Sequence, residues 1–231
     1  MLTSPSPRDS GDFGYSVAMI PDINGDGRED IIVGAPKERS DRAGRAYVFS
    51  GATGQVLRQL DSPSPQADGR FGYAVAAVPD ANGDGIPDIV VGAPREFSRQ
   101  GRVYLFSGAT GALLRGVQSP GLENNGRFGE AVAGLTDFNG DGRGDFIVGA
   151  PHEDPANSPE DAGRAYIYSG ATGQFLNKVL PPRPALNEYF GAAVAGMFDN
   201  NGTGRPEVVV GAPGEDRPPY GPAGIAYLFK Y

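Results

Sequence analysis

The chain has 231 residues, 36 of them glycine and 21 proline, with no cysteine and a formal net charge of −8. Without cysteine there is no disulfide framework and no thiolate metal or redox site, and an acidic chain with no basic run does not neutralise phosphates, which excludes nucleic acid as a partner. No apolar run reaches the ~18–20 residues that cross a bilayer, so no membrane insertion is expected, and residues 1–12 lack the basic start and apolar stretch of an export leader.

The first unit opens on Phe13-Gly14 and a short apolar run, FGYSVAMI. An acidic loop follows, DINGDGRED (22–30), and leads into DIIVGAP, rich in the branched residues that suit a pleated surface. After a variable stretch, RAYVF forms a third run, and the GATG after it supplies glycine for the positive φ of a hairpin turn. QVLRQL closes the unit as a fourth run.

The same order returns three times. Phe-Gly recurs at 71–72, 128–129 and 190–191, and Gly-Ala-Pro, first seen at 34–36, recurs at 92–94, 149–151 and 211–213. Four short antiparallel strands repeated at a fixed period predict an all-β propeller, or a propeller segment, of four blades. The blades span approximately 13–60, 71–118, 128–180 and 190–231 of a single domain, 1–231. Alanine and glycine fall on the two innermost strands, where blades converge. The last unit stops at Tyr231 without a fourth run, so the last blade is expected to lack its outer strand. Aligning residues 1–15 with 59–73 places Met1-Leu2 at the tail of a preceding fourth strand. A four-blade ring, an arc of a larger propeller and a two-chain, eight-blade assembly all stay open. The free edge favours a homodimer or continuation into further blades.

The acidic loop reads D-x-N-x-D-G-x-x-D in three copies. Calcium takes six to eight oxygens from carboxylates, carbonyls and water. Positions 1, 3, 5 and 9 offer side-chain oxygens and position 7 a backbone carbonyl. The predicted ligands are Asp22, Asn24, Asp26, Arg28 and Asp30; Asp80, Asn82, Asp84, Ile86 and Asp88; and Asp137, Asn139, Asp141, Arg143 and Asp145. The fourth loop offers Asp199, Asn201, Thr203, Arg205 and Glu207, one carboxylate fewer, and is expected to be weak or empty. An EF-hand is excluded, because its twelfth position needs glutamate and here holds Val33, Val91, Val148 and Val210. For any one loop the alternative is a tight polar turn without an ion. Three loaded loops would bring the charge from −8 to −2, and in their absence the carboxylates repel one another.

Phe-Gly at the head, the acidic loop and Gly-Ala-Pro at the tail together resemble the FG-GAP repeat of integrin α-subunit propellers. That resemblance covers nearly the whole chain. It implies calcium on one face and a non-enzymatic module of extracellular adhesion or recognition, secreted or at the cell surface. It also implies seven blades where this chain has four. The calcium loops and GATG turns lie at one end of the blades. At the other, the copies diverge: KERSDRAG (37–44), REFSRQG (95–101), HEDPANSPEDAG (152–163) and GEDRPPYGPAG (214–224). Such loops on a rigid scaffold are where a protein or glycan ligand is expected, although drift of unconstrained surface produces the same divergence. The alternatives are a carbohydrate-binding, lectin-type propeller and an accessory propeller domain of a secreted polysaccharide-active enzyme.

Four single features are read conservatively. Arg143-Gly144-Asp145 spells an adhesion tripeptide, but Asp145 belongs to the metal loop. His152, the one histidine, is a surface loop residue, and Tyr47, Tyr104, Tyr166 and Tyr227 pack between blades. Glu153, Asp154, Glu160 and Asp161 read as a solvated rim. No nucleophile with an oriented base emerges, so no catalytic residue is assigned.

Overall fold

The computed structural model describes residues 1–154, 160–217 and 220–231. Blade 1 is the sheet β1 (Ser16–Ile20), β2 (Asp30–Ala35), β3 (Arg45–Phe49) and β4 (Val56–Leu60), in that spatial order. Blade 2 repeats it with β5 (Ala74–Val78), β6 (Asp88–Ala93), β7 (Arg102–Phe106) and β8 (Leu113–Val117); a short turn, α1 (Glu96–Arg99), lies between β6 and β7. Blade 3 contains β9 (Ala131–Leu135), β10 (Asp145–Ala150), β11 (Arg164–Tyr168) and β12 (Phe175–Val179). Blade 4 pairs β13 (Ala193–Gly196) with β14 (Val208–Ala212) and β14 with β17 (Ile225–Phe229), and has three strands. A small ribbon, β15 (Asp216–Arg217) with β16 (Tyr220–Pro222), projects between β14 and β17.

Every pairing within a blade is antiparallel, and the registers superpose. Val33 faces Tyr47, Val91 faces Tyr104, Val148 faces Tyr166 and Val210 faces Tyr227. The inner strands β1, β5, β9 and β13 lie against one another in sequence. The fold is therefore an all-β propeller architecture, four blades advancing around an axis.

The core lies between blades. Ile32, Ala46 and Val48 of blade 1 pack on Phe71, Val75, Ile89 and Val91 of blade 2, and the pattern repeats down the chain. Glycine is required where blades meet. A Cβ on Gly34, Gly92 or Gly149 would fall far inside van der Waals contact of the carbonyl of Gly72, Gly129 or Gly191 in the next blade. The Phe-Gly of each following blade thus rests on the Gly-Ala-Pro of the one before, held further by parallel bridges such as Gly44 to Phe71 and Gly163 to Phe190.

Candidate metal centres

The first-to-second strand loop of each blade is a compact hairpin wrapped around its own leading aspartate. Gly25 and Gly27 take φ of +80 and +80°, Gly83 and Gly85 +90 and +83°, and Gly140 and Gly142 +82 and +80°, a region open to glycine at little cost. This curvature turns consecutive amides inward. Asp22 accepts hydrogen bonds from the N–H groups of Asn24, Gly25, Asp26 and Gly27, at 2.6–3.2 Å. The Gly27 amide first, then those of Gly25, Asn24 and Asp26, holds the Asp22 carboxyl below the usual carboxylate range against partial desolvation. In Asp80, burial pushes upward but is outweighed by the amides of Gly83 and Gly85 and the charge of Arg143.

Position 9 is different. Asp30, Asp88 and Asp145 are fully buried. One carboxylate oxygen of each accepts an N–H from its own loop (Ile23 at 3.0 Å, Ala81 at 2.9 Å, Phe138 at 2.8 Å). The other accepts the first glycine of the GATG turn (Gly51 at 3.1 Å, Gly108 at 3.1 Å, Gly170 at 3.0 Å). The turn between the third and fourth strands is therefore fastened to the acidic loop. Its first glycine admits no side chain, because a Cβ would collide with the carbonyls of Glu29, Pro87 and Gly144. Its last glycine supplies the expected positive φ, 72, 74 and 73° at Gly54, Gly111 and Gly173.

These loops carry unbalanced negative charge. Burial, and next the neighbouring Asp84 among charged groups, pushes Asp88 up to about 6. Burial, then the charges of Asp141 and Asp137, pushes Asp145 up to about 6 as well. In the second loop the Asn82 amide nitrogen sits 3.0 Å from Asp84 and 3.4 Å from Asp88, drawing positions 3, 5 and 9 together. In the third, Asn139 donates to Asp141 at 3.0 Å. Among the described residues no group of three acids or histidines is assembled into a closed metal cluster; the carboxylates are occupied by amides. The donor set, all oxygen and rich in carboxylate with a surplus of negative charge, fits a hard divalent cation.

The fourth loop keeps the hairpin. Asp199 accepts the amides of Gly202, Thr203 and Gly204, and the Thr203 hydroxyl turns onto Asn201 at 2.6 Å. Glu207 is buried and accepts Asn200 N–H at 2.9 Å. Of the position-7 residues, Arg143 reaches across to Asp80 at 3.4 Å and Arg205 lies over the Phe138 ring at 5.6 Å, joining neighbouring loops. The Arg143-Gly144-Asp145 tripeptide is not displayed, since Asp145 is buried and Gly144 backs onto Pro79.

At the opposite end the structure revises the expected rim. Glu153 is fully buried, as are Glu38 and Glu96, and Glu215 nearly so. Each receives the hydroxyl of its blade's third-strand tyrosine: Tyr47 to Glu38, Tyr104 to Glu96 at 2.6 Å, Tyr166 to Glu153, and Tyr227 to Glu215 at 2.5 Å. Ser4 and Ser62 add a second hydroxyl to Glu38 and Glu96. The tyrosines also pack on the Phe-Gly ring of their own blade, with centroids 6.0–6.1 Å apart. The signal was present, a glutamate two residues after every Gly-Ala-Pro proline, yet an acid in a divergent loop reads as solvated. His152 lies on this end, its Nδ1 2.9 Å from Asp161. The divergent loops are tied down by ion pairs such as Lys37 to Asp12 at 2.6 Å and Arg95 to Asp68 at 2.7 Å. Parts of the two others, 155–159 and 218–219, lie outside the described residues.

Radial antiparallel sheets with an acidic hairpin in each define the class, a repeat-built β-propeller. The model described as FG-GAP repeat matches residues 13–49, 71–106 and 128–168, and the chain belongs to the FG-GAP repeat family. It is 34% identical to integrin alpha-5 of Xenopus laevis over 91% of this chain and 21% of that protein. It is 32% identical to integrin alpha-PS2 of Drosophila melanogaster over 93% of this chain and 16% of that protein. The chain thus spans about a fifth of the length of the relatives it matches. A solved structure described as "Structure of Dos1 propeller" aligns with TM-score 0.48 and 11% identity over 86% of this chain and 41% of that one.

Proposed function

We propose that this chain is a calcium-stabilised recognition module, non-catalytic, that works outside the cell on a protein ligand. The observation that carries the metal assignment is the threefold recurrence of an acidic loop with a fully buried ninth-position carboxylate, crowded in the second and third loops by its neighbours' charge. Asp22, Asn24, Asp26 and Asp30 with the Arg28 carbonyl would hold the first ion. Asp80, Asn82, Asp84 and Asp88 with the Ile86 carbonyl would hold the second. Asp137, Asn139, Asp141 and Asp145 with the Arg143 carbonyl would hold the third. The bound ion supplies positive charge and no chemistry. The loop residues supply oxygen, and the Gly51, Gly108 and Gly170 amides keep the ninth carboxylate aimed into the loop. Calcium is preferred to magnesium because a small octahedral shell accommodates so many protein oxygens poorly.

The recognition reading rests on similarity to integrin α-subunits over nine-tenths of the chain, and on divergent loops fastened to a rigid scaffold at the end away from the metal loops. Among the described residues no helix is long and apolar enough to cross a membrane. The test is a binding screen of the calcium-loaded chain on a panel of matrix proteins and on a glycan array, each with and without chelator. Calcium-dependent capture by a matrix protein is the expected result. Capture by glycans alone would replace this reading with a lectin, and chelator-insensitive capture would separate recognition from the metal.

A further inference from the structure

Blades 1, 2 and 3 bury their glutamate by one recipe, and blade 4 reverses it. In the first three, the loop leading into the blade supplies a serine hydroxyl, from Ser4 to Glu38, Ser62 to Glu96 and Ser119 to Glu153. The same loop lays a glycine against the glutamate. A Cβ on Gly11, Gly69 or Gly126 would stand only 3.6, 3.0 or 2.6 Å from Cγ of Glu38, Glu96 or Glu153. The third strand then opens on an arginine, Arg45, Arg102 or Arg164. The charge of Arg102 favours the ionised form of Glu96, and Arg164 lies 3.5 Å from Glu153. Glu153 keeps one oxygen without a partner, but it has that guanidinium beside it.

In blade 4 all three positions change. Pro181 stands in the register of the serines, Glu188 in that of the glycines and Ile225 in that of the arginines. The Tyr227 hydroxyl remains on Glu215, at 2.5 Å. Glu188 is 3% exposed and Glu215 8%, so both carboxyl groups lie more than nine-tenths buried. Oε2 of each has no hydrogen-bond partner among the described residues. Burial, then the charges of Glu215 and Asp216, disfavours the ionised form of Glu188. Arg183, whose charge acts on Tyr227, is itself exposed. Where Glu153 and Arg164 sum to no charge, Glu188 and Glu215 sum to two negative charges when ionised. Buried charge of that size requires a counter-ion or protons.

We propose that Glu188 and Glu215 hold a divalent cation of the calcium type, at the end of blade 4 away from the acidic hairpins. A double positive charge restores the balance that the other blades reach with arginine, and the two unpartnered oxygens are its first ligands. Backbone carbonyls and water complete such a shell. With two carboxylates the site is weaker than a hairpin offering three. The residues that make it belong to blade 4 and the loop leading into it, just as the partners of Glu38, Glu96 and Glu153 belong to theirs. The inference does not depend on the metal assignment of the hairpins.

The test is equilibrium dialysis of the full chain against calcium near neutral pH, at about 10 mM, which is above the range of weak extracellular sites. Glu188→Gln removes one charge and keeps the shape, and Glu188→Gly restores the residue of the other blades. Each variant should bind one calcium fewer per chain than the wild type, with unchanged far-ultraviolet circular dichroism. Ions held in the hairpins are common to all three proteins and cancel in the difference. In chelator Glu188→Gln should melt above the wild type, because a repulsion between buried carboxylates is gone. Calcium should shrink that advantage, since only the wild type gains the additional ion. Equal stoichiometry in the wild type and either variant overturns the proposal and leaves the pair neutralised by protons or by the chain itself. A loss of more than one ion, or a melting advantage that calcium leaves unchanged, overturns it too.

Discussion

Each blade places a glutamate inside the protein two residues after its Gly-Ala-Pro proline and answers it with a tyrosine hydroxyl. Burial raises the pKa of Glu96, and hydrogen bonds from Ser62 and Tyr104 act against that rise. Tyr104→Phe removes one donor from a buried acceptor and should cost about 1–3 kcal/mol in chemical denaturation. Because the folded-state pKa of Glu96 is already raised and would rise further, the ionised form bears the penalty. The loss should therefore grow as pH rises through the raised pKa, and shrink below the ordinary glutamate value. Blade 4 departs from the pattern. Pro181-Pro182 stands in place of the serine, and Glu188 stands where Gly11, Gly69 and Gly126 make room for the buried glutamate. Glu188 is buried, and burial followed by the charges of Glu215 and Asp216 raises its pKa. Among the described residues, Oε2 of Glu188 and Oε2 of Glu215 have no hydrogen-bond partner. Glu188→Gln should stabilise the chain at neutral pH. The gain should disappear once the pH falls below the ordinary glutamate pKa, where the wild-type side chain is neutral in both states. A melting-temperature series against pH checks both sign and window. The glutamates escaped sequence reasoning because burial is a property of neighbours. Only the tyrosine pairing across strands explains why an acid in a loop is dry.

At the scale of the element, the acidic hairpin and the GATG turn form one unit. The strands and their order follow from the sequence, because branched runs, tight-turn glycines and a four-part repeat all agree. The acidic hairpins were equally visible, since their spacing is the motif. What spacing could not convey is that the ninth aspartate is bonded to a glycine twenty or more residues away, because that contact exists only when the two hairpins stand at the same end of the blade. Gly108→Ala should accordingly destabilise blade 2, because its Cβ collides with the Pro87 carbonyl and pushes the residue 108 amide away from Asp88. Urea denaturation should show a loss of about 1–3 kcal/mol. In the fourth hairpin Thr203 replaces an aspartate. Its calcium affinity is expected to be at least about tenfold below the others, or ~1.4 kcal/mol. Thr203→Asp should narrow that gap, and Asp84→Ala should abolish binding at the second loop; both are read by calorimetric titration.

For the molecule as a whole, the proposed calcium sites would couple metal to stability. An ion that binds only the folded state stabilises it by about 2.7 kcal/mol per site at a hundred times its dissociation constant. Chelation should lower the melting temperature and millimolar calcium should restore it, whereas magnesium should restore less. Repetition made the propeller legible, but the count of blades around the axis was not, because each blade reports only its neighbours. The most direct measurement is calorimetric titration of the metal-free chain with calcium. Three ions should bind before a weaker fourth, and Asp22→Ala, Asp80→Ala and Asp137→Ala should each remove one of the three. Absence of binding heat, or four equivalent sites, would contradict the ligand assignment on which this account of the loops depends.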